Sequence, residues 1–275
     1  MVQDQGLLLP VGVARGRSGG LPRAVPPLAV ERLRVVYRDV AAVDDVSFAV
    51  PAGTVVGLAG PNGCGKTTTL RAVVGLVQPS SGVVLVEGVR AGSLAARGCV
   101  AFVPDEPVGL DELTVLEWTD LAARLWRAGD GFTRRRALLL DAFGLESQGH
   151  VQLGALSHGR RRLVAVVAGV ALDRPLLVVD EATAALDPEA AHVLREIVRA
   201  VAARGAAVLV ATQDLAFVEA VCDRVVLLHE GAVAAAGSQQ DLRRRFRAAS
   251  LTDVFVAATG AAERLGEVRA ALRDL

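Results

Sequence analysis

Lysine is almost missing from this sequence: Lys66 is the only one, and every other long basic side chain is arginine. Net charge is missing too. The 30 basic and 30 acidic residues cancel, which argues against a nucleic-acid binder, since such proteins carry a basic surplus to neutralise phosphates. Cysteine is scarce and odd in number, and Cys64, Cys99 and Cys222 show no paired spacing. A reduced cytosolic protein is therefore expected. The 4 histidines have no metal-ligand spacing. Long hydrophobic runs are also absent, although the mean hydropathy is +0.41. The longest apolar stretch, residues 163–172, is about half of the ~20 residues a membrane-spanning helix needs. Near the start, the apolar residues 7–9 are broken at once by Pro10. That segment lacks the charged opening and continuous apolar middle of a secretory signal. Residues 1–27 are expected to form a flexible extension outside the fold.

What is present is a large apolar fraction, 52% of 275 residues, enough for one domain with a subdomain or for two small domains. Disorder over most of the length is excluded, because disordered chains are poor in apolar residues. The lone lysine falls in an informative place. Residues 55–59, VVGLA, read as a buried strand. GPNGCGKTT follows, then a helix-compatible stretch, so strand, G-x-x-x-x-G-K-[ST] and helix occur in the order of a phosphate-binding loop. Gly63 and Gly65 let successive N–H groups turn inward around anionic oxygens, and the start of the helix adds its positive dipole end. Lys66 then reaches the β- and γ-phosphates, and the Thr67 hydroxyl is a ligand for Mg²⁺. Gly60, Asn62, Gly63, Cys64, Gly65, Lys66, Thr67 and Thr68 are the loop's ATP-binding candidates.

Such a loop alone does not separate kinases, GTPases, helicases and transport ATPases. The second element, which is acidic, is LLVVDE, residues 176–181, a buried parallel strand whose carboxyl end is where ligands sit in open α/β sheets. Asp180 is placed to hold Mg²⁺, and Glu181 to polarise an attacking water.

Just before that strand stands Leu156-Ser157-His158-Gly159-Arg160, and here the chain resembles the ATP-binding cassette (ABC) transporter ATPases. Their signature reads Leu-Ser-Gly-Gly-Gln, of which the Leu, the Ser and the second Gly are kept. The resemblance covers roughly residues 28–260. It implies an α/β P-loop NTPase core with an antiparallel β subdomain and an inserted helical subdomain at about residues 105–155. The nucleotide-binding domain would span residues 28–245, followed by a C-terminal segment, 246–275. Ser157 and Gly159 would meet the γ-phosphate held by a second cassette, in a homodimer or heterodimer, and Ser157 is by its chemistry a good N-cap. Tyr37 resembles the aromatic residue that stacks on adenine, with a packed strand residue as the alternative. Asp187, in Ala185-Leu186-Asp187, resembles the loop linking the two sites of the dimer, and Asp187-Pro188 should start a helix.

Three positions depart from the family pattern. Asp105 stands where a glutamine of the coupling loop is usual, and is a further candidate Mg²⁺ ligand. Arg160 replaces the last signature glutamine. Gln213 occupies the place of the histidine that contacts the γ-phosphate, so it joins Glu181 as a catalytic candidate with slower hydrolysis expected.

Within the helical insert, Thr114 to Glu117 resembles a capping box. Trp118, Leu121 and Leu125 form one stripe on a helix expected to carry Trp126 as well. That stripe either packs the subdomain or meets the membrane partner. Arg134, Arg135 and Arg136 are expected on a solvated face, with an anionic-lipid contact as the alternative. Residues 251–260 resemble the closing segment of exporter ATPases, and residues 261–275 read as a polar helix. The resemblance thus implies an ATP-hydrolysing subunit, using ATP and Mg²⁺, that powers export through a separate integral membrane permease. It would be peripheral to the cytoplasmic face of the membrane and bind no nucleic acid. The alternatives are a low-turnover ATP-binding switch, an asymmetric cassette beside a more active one, or an importer or non-transport cassette.

Overall fold

The computed structural model describes residues 25–105, 111–181 and 183–261. Alternating apolar residues near the start build a first layer. Strands β1 (Leu28–Tyr37) and β2 (Val40–Val50) form an antiparallel hairpin with Leu28 opposite Val50 and Tyr37 opposite Val40. Val30 and Leu33 are three apart and could not share a face of a regular strand. A register shift between them, with Arg32 at φ 46, turns both into the core. β3 (Val55–Ala59) and α1 (Lys66–Val73) come next. β4 (Ser81–Val86) and β5 (Val89–Arg90) then complete a sheet of order β2-β1-β4-β5. The fold begins at or before Pro27, which is buried and accepts a bond from the Glu87 N–H at 2.9 Å.

Beyond α2 (Leu94–Gly98) and β6 (Val100–Val103), the chain enters a helical stretch of α3 (Val115–Leu125), α4 (Phe132–Ala142) and α5 (His158–Ala171). It then alternates through β7 (Leu176–Asp180), α6 (Pro188–Ala203), β8 (Ala207–Thr212), α7 (Leu215–Val221) and β9 (Arg224–His229). β10 (Ala232–Ser238), α8 (Gln239–Phe246) and α9 (Leu251–Ala258) close the described chain. The second sheet has order β10-β9-β3-β8-β7-β6, parallel throughout except for β10.

Every residue of β3, β7 and β8 is buried, as expected for parallel strands covered on both faces. Alternate residues feed different cores. Val55, Leu177, Val208 and Val210 pack with Val166, Leu194 and Phe217 of the helices. Val56, Leu58, Val178 and Leu209 pack with Leu70 of α1 and with Val35 and Val46 of the antiparallel sheet. A third cluster, including Val115, Leu140, Leu145, Leu156 and Val167, holds α3 and α4 against α5. This is the expected architecture, a mixed α/β P-loop core with an antiparallel sheet and a helical insert.

Two local expectations are corrected. Trp126 is not within the helix that carries Trp118: α3 ends at Leu125, and Trp126 caps it with Arg127 turning away at φ 49. Arg136 is not on a solvated face. It is buried, donates to Thr119 Oγ1 at 3.0 Å and pairs with Asp120, because it shares the inner face of α4 with Phe132 and Leu140. Arg134 is exposed and Arg135 intermediate. Of the proposed stripe, Leu121 is half-buried and Leu125 is 65% exposed, so Leu125 does not pack the subdomain. The capping box is present, with Thr114 and Glu117 bonding each other's backbone N–H. Most of the expected N-terminal extension (residues 1–24) and most of the expected C-terminal polar helix (residues 262–275) lie outside the described residues.

Candidate functional site

In a parallel sheet the carboxyl ends of all strands share one edge. The register sets Ala59 of β3 beside Thr212 of β8, Ala211 beside Asp180 of β7, and Val179 beside Val103 of β6. The loops that follow these strands carry Gly60 to Lys66, Gln213, Glu181 and Asp105, so four distant parts of the sequence meet there.

The loop after β3 ends in Gly65, at φ 103, immediately before α1. A side chain at that position would lie 2.6 Å from the Ala42 carbonyl, so glycine is required by both conformation and space. Asn62 and Gly63 are exposed, Cys64 is buried, and Thr67 and Thr68 are half-buried. Burial pushes the Cys64 thiol up, against the pull of Lys66, which leaves it a small protonated packing residue. Lys66 is only 5% exposed. Its Nζ donates to the Gly60 carbonyl at 2.9 Å and the Pro61 carbonyl at 3.2 Å, and pairs with Glu181 Oε1 at 3.2 Å. The other oxygen of Glu181 accepts from the backbone N–H of Gln213 at 3.4 Å. The loop lysine, the acid after β7 and the backbone after β8 are therefore in one constellation.

Asp180 is 1% exposed, and its Oδ1 has no hydrogen-bond partner. Burial pushes its carboxyl above the usual range, while a hydrogen bond from Thr67 pulls the other way. A buried carboxylate oxygen without a partner, beside a hydroxyl, fits a magnesium ion, which takes one or two protein oxygens and completes its shell from phosphates and water. Among the described residues no three His, Cys, Asp or Glu side chains converge, so a metal here would depend on nucleotide oxygens for the rest of its ligands. Asp105 is turned toward Arg162, at 3.2 Å.

Arg162 escaped the sequence reading. It is fully buried on α5, and its guanidinium donates to the backbone carbonyls of Asp105, Asp180 and Glu181. Burial lowers its pKa and the neighbouring carboxylates raise it. The available signal was its helical spacing: Val166, one turn on, is a core residue.

The remaining candidates lie apart from this constellation. Ser157 and Asp187 are exposed, and each spends a side-chain oxygen capping its own helix: Ser157 accepts from Arg160 N–H at 3.3 Å, and Asp187 from Ala190 N–H at 2.8 Å. Gly159 lies against the loop before α6, where an added Cβ would come within 2.6 Å of the Ala185 carbonyl. These three form a second surface, with no hydrogen bond to the phosphate loop among the described residues. Tyr37, at the end of β1, is 45% exposed.

Residues 43–184 match the family model described as ABC transporter. The SkfA peptide export ATP-binding protein SkfE of Bacillus subtilis (strain 168) is 33% identical over 205 residues, 74% of this chain and 86% of that one. The Nod factor export ATP-binding protein I of Burkholderia orbicola (strain AU 1054) is 34% identical over 224 residues, 80% of this chain and 73% of that one. A solved ATP binding subunit of an ABC transporter is 36% identical and superposes with a TM-score of 0.80, covering 84% of this chain and 99% of that one. With a glycine-rich loop, a buried lysine and two successive carboxylates at one sheet edge, the chain belongs to the ABC transporter family, as an ATP-binding cassette.

Proposed function

We propose that this cassette hydrolyses ATP to drive export through a separate membrane permease, working as one half of a cassette dimer at the cytoplasmic face of the membrane. The observation that carries the hydrolytic reading is the Lys66–Glu181 pair beside the orphaned Asp180 oxygen. Lys66 and the loop N–H groups would take the phosphates, Thr67 and Asp180 would hold Mg²⁺, and Glu181 would polarise water. Asp105 is a further candidate ligand. The Lys66–Glu181 pair is then a resting contact, which the γ-phosphate replaces when ATP enters.

Export is supported by the functions named for the SkfE and Nod factor relatives. A separate permease is supported by the helices themselves, since among the described residues none is long and apolar enough to cross a membrane. The helical insert, residues 105–155, is the proposed receiver of the permease, within a nucleotide-binding domain at 28–245 and ahead of a C-terminal segment at 246–275. Tyr37 is exposed enough to stack on an adenine. Ser157, Gly159 and Asp187 form the proposed contact with the partner cassette's nucleotide, which explains why they lie apart from this chain's own loop. One observation favours a second reading, a low-turnover switch or an asymmetric cassette. Gln213 offers Glu181 its backbone N–H and has no ring nitrogen to carry charge or a proton.

The test is the oligomeric state under Mg-ATP. Glu181→Gln should bind ATP, hydrolyse it poorly and accumulate a dimer visible by light scattering. Adding Ser157→Arg should return it to a monomer. A Glu181→Gln protein that binds ATP yet stays monomeric with or without ATP would count against the homodimer and for a heterologous partner.

A further inference from the structure

Arg162 has no part in the scheme above, yet it is the largest fully buried side chain among the described residues. Packing alone does not call for it. A buried guanidinium is costly unless its donors are matched, and an apolar residue of similar length would fill the same volume. Its Nε has no partner, but its two terminal nitrogens are matched to an unusual set of acceptors. One terminal nitrogen reaches the carbonyl of Asp105 and, at 3.2 Å, its carboxylate; the other reaches the carbonyls of Asp180 and Glu181. Those last two carbonyls flank the peptide units that decide where the Glu181 side chain points.

Glu181 itself has φ 46, a left-handed conformation that a residue with a side chain keeps only when its surroundings hold it there. The turn that follows is closed by Ala184 N–H on the Glu181 carbonyl at 3.1 Å and Leu186 N–H on the Thr183 carbonyl at 3.3 Å. Arg162 therefore shares an acceptor with that turn. It stands on α5, the helix that Ser157 opens, so one side chain joins the signature helix, the loop after β6 and the backbone of the proposed water-polarising acid.

We propose that Arg162 is a positioning residue. It clamps the Asp180–Glu181 backbone in the conformation that aims Glu181 at the phosphates, and it makes that conformation depend on Asp105. A displacement of the loop at residue 105 thereby reaches Glu181 through one guanidinium. The effect on turnover rests on the hydrolytic reading above. The clamp itself does not, and it can be read without nucleotide.

Two measurements separate the ideas. The first is amide hydrogen exchange at Ala184 and Leu186 in the intact protein, free of nucleotide and magnesium. Arg162→Lys, which keeps the charge but not the fork, and Asp105→Ala, which leaves the core untouched, should each speed exchange there at least several-fold. Exchange in β3 and β8 should stay at the wild-type rate. The second is steady-state ATP hydrolysis. Arg162→Met should lower kcat at least tenfold with KM for ATP within about threefold, since the phosphate-loop donors are intact, and Arg162→Lys should recover part of the loss. Asp105→Ala should lower kcat less, and should add little in the Arg162→Met background, because both changes act on one linkage.

Wild-type exchange at Ala184 and Leu186 in both Arg162→Lys and Asp105→Ala would overturn the clamp. So would faster exchange spread evenly over the fold, which is what a purely packing role gives. If the wild type fails to hydrolyse ATP while the exchange result holds, the hydrolytic reading falls and the clamp stands.

Discussion

Gln213 is exposed, and it is its backbone N–H that reaches Glu181, at 3.4 Å. Its amide can donate to a phosphate oxygen, but it cannot meet developing negative charge with positive charge or shuttle a proton. A positioned acid–base group is worth about 10²–10⁴ in rate, and only part of that is at stake while Glu181 remains. Gln213→His should raise steady-state phosphate release several-fold with ATP affinity unchanged; equal or lower turnover in a variant that binds ATP would refute this account. Asp180 makes a second prediction through its protonation. Burial raises its pKa in the folded chain, so its contribution to stability is full below the unfolded pKa and is lost as pH rises through the folded one. Asp180→Asn should therefore stabilise the nucleotide-free protein above that range. A gain of about 1 kcal/mol corresponds to a Tm increase of about 2–4 °C in a chain of this size. The difference should shrink as pH falls to about 4 and below, the ordinary carboxyl range of the unfolded chain, where the Asp180 carboxyl is neutral in both states, while the variant loses Mg²⁺-dependent nucleotide binding. Thermal scans across pH, with and without Mg-ATP, check both halves.

Elements were legible wherever local chemistry dictates them. The strand, loop and helix around Lys66, the capping box at Thr114, the Ser157 cap and the Asp187-Pro188 helix start all depend on neighbours within a few residues, and each is found where its residue types put it. Arg136 was misread and Arg162 was missed, because each sits in a run of three arginines. Only the helical spacing to Phe132 and Leu140, or to Val166, reveals which arginine turns inward. The docking of α9 was out of reach for a different reason: its partners are far away in sequence. Leu251 and Val254 are fully buried in the same core as Val208 and Phe217, and the Leu251 N–H meets Glu219 of α7. Gln239 of α8 ties down the end of α7 by donating to the carbonyls of Val218, Glu219 and Cys222. Leu251→Ala should cost about 2–5 kcal/mol. Because that core is shared, denaturant unfolding should shift as one transition; a separate early step confined to the C-terminal helices would contradict this.

The whole molecule was legible as a class before it was legible as a topology. Apolar runs at 55–59 and 176–180 announce buried parallel strands, but nothing local reveals that the first of them ends up between β8 and β9. The resemblance implied the architecture, and the strand order is seen only in the folded chain. That order has a consequence for how the chain acquires its site. β3 is made early, yet it is paired on one side by Val208 to Thr212 and on the other by Arg224 to Leu227. Until those strands leave the ribosome, a wholly apolar strand has both edges free, a state open to wrong pairing and aggregation. Contacts so distant in sequence also close slowly. The phosphate loop is carried on that strand, so nucleotide cannot help to nucleate the fold from its N-terminal third. Synthesis must come nearly to the end of the sheet before the earliest-made functional residues have anything to bind with.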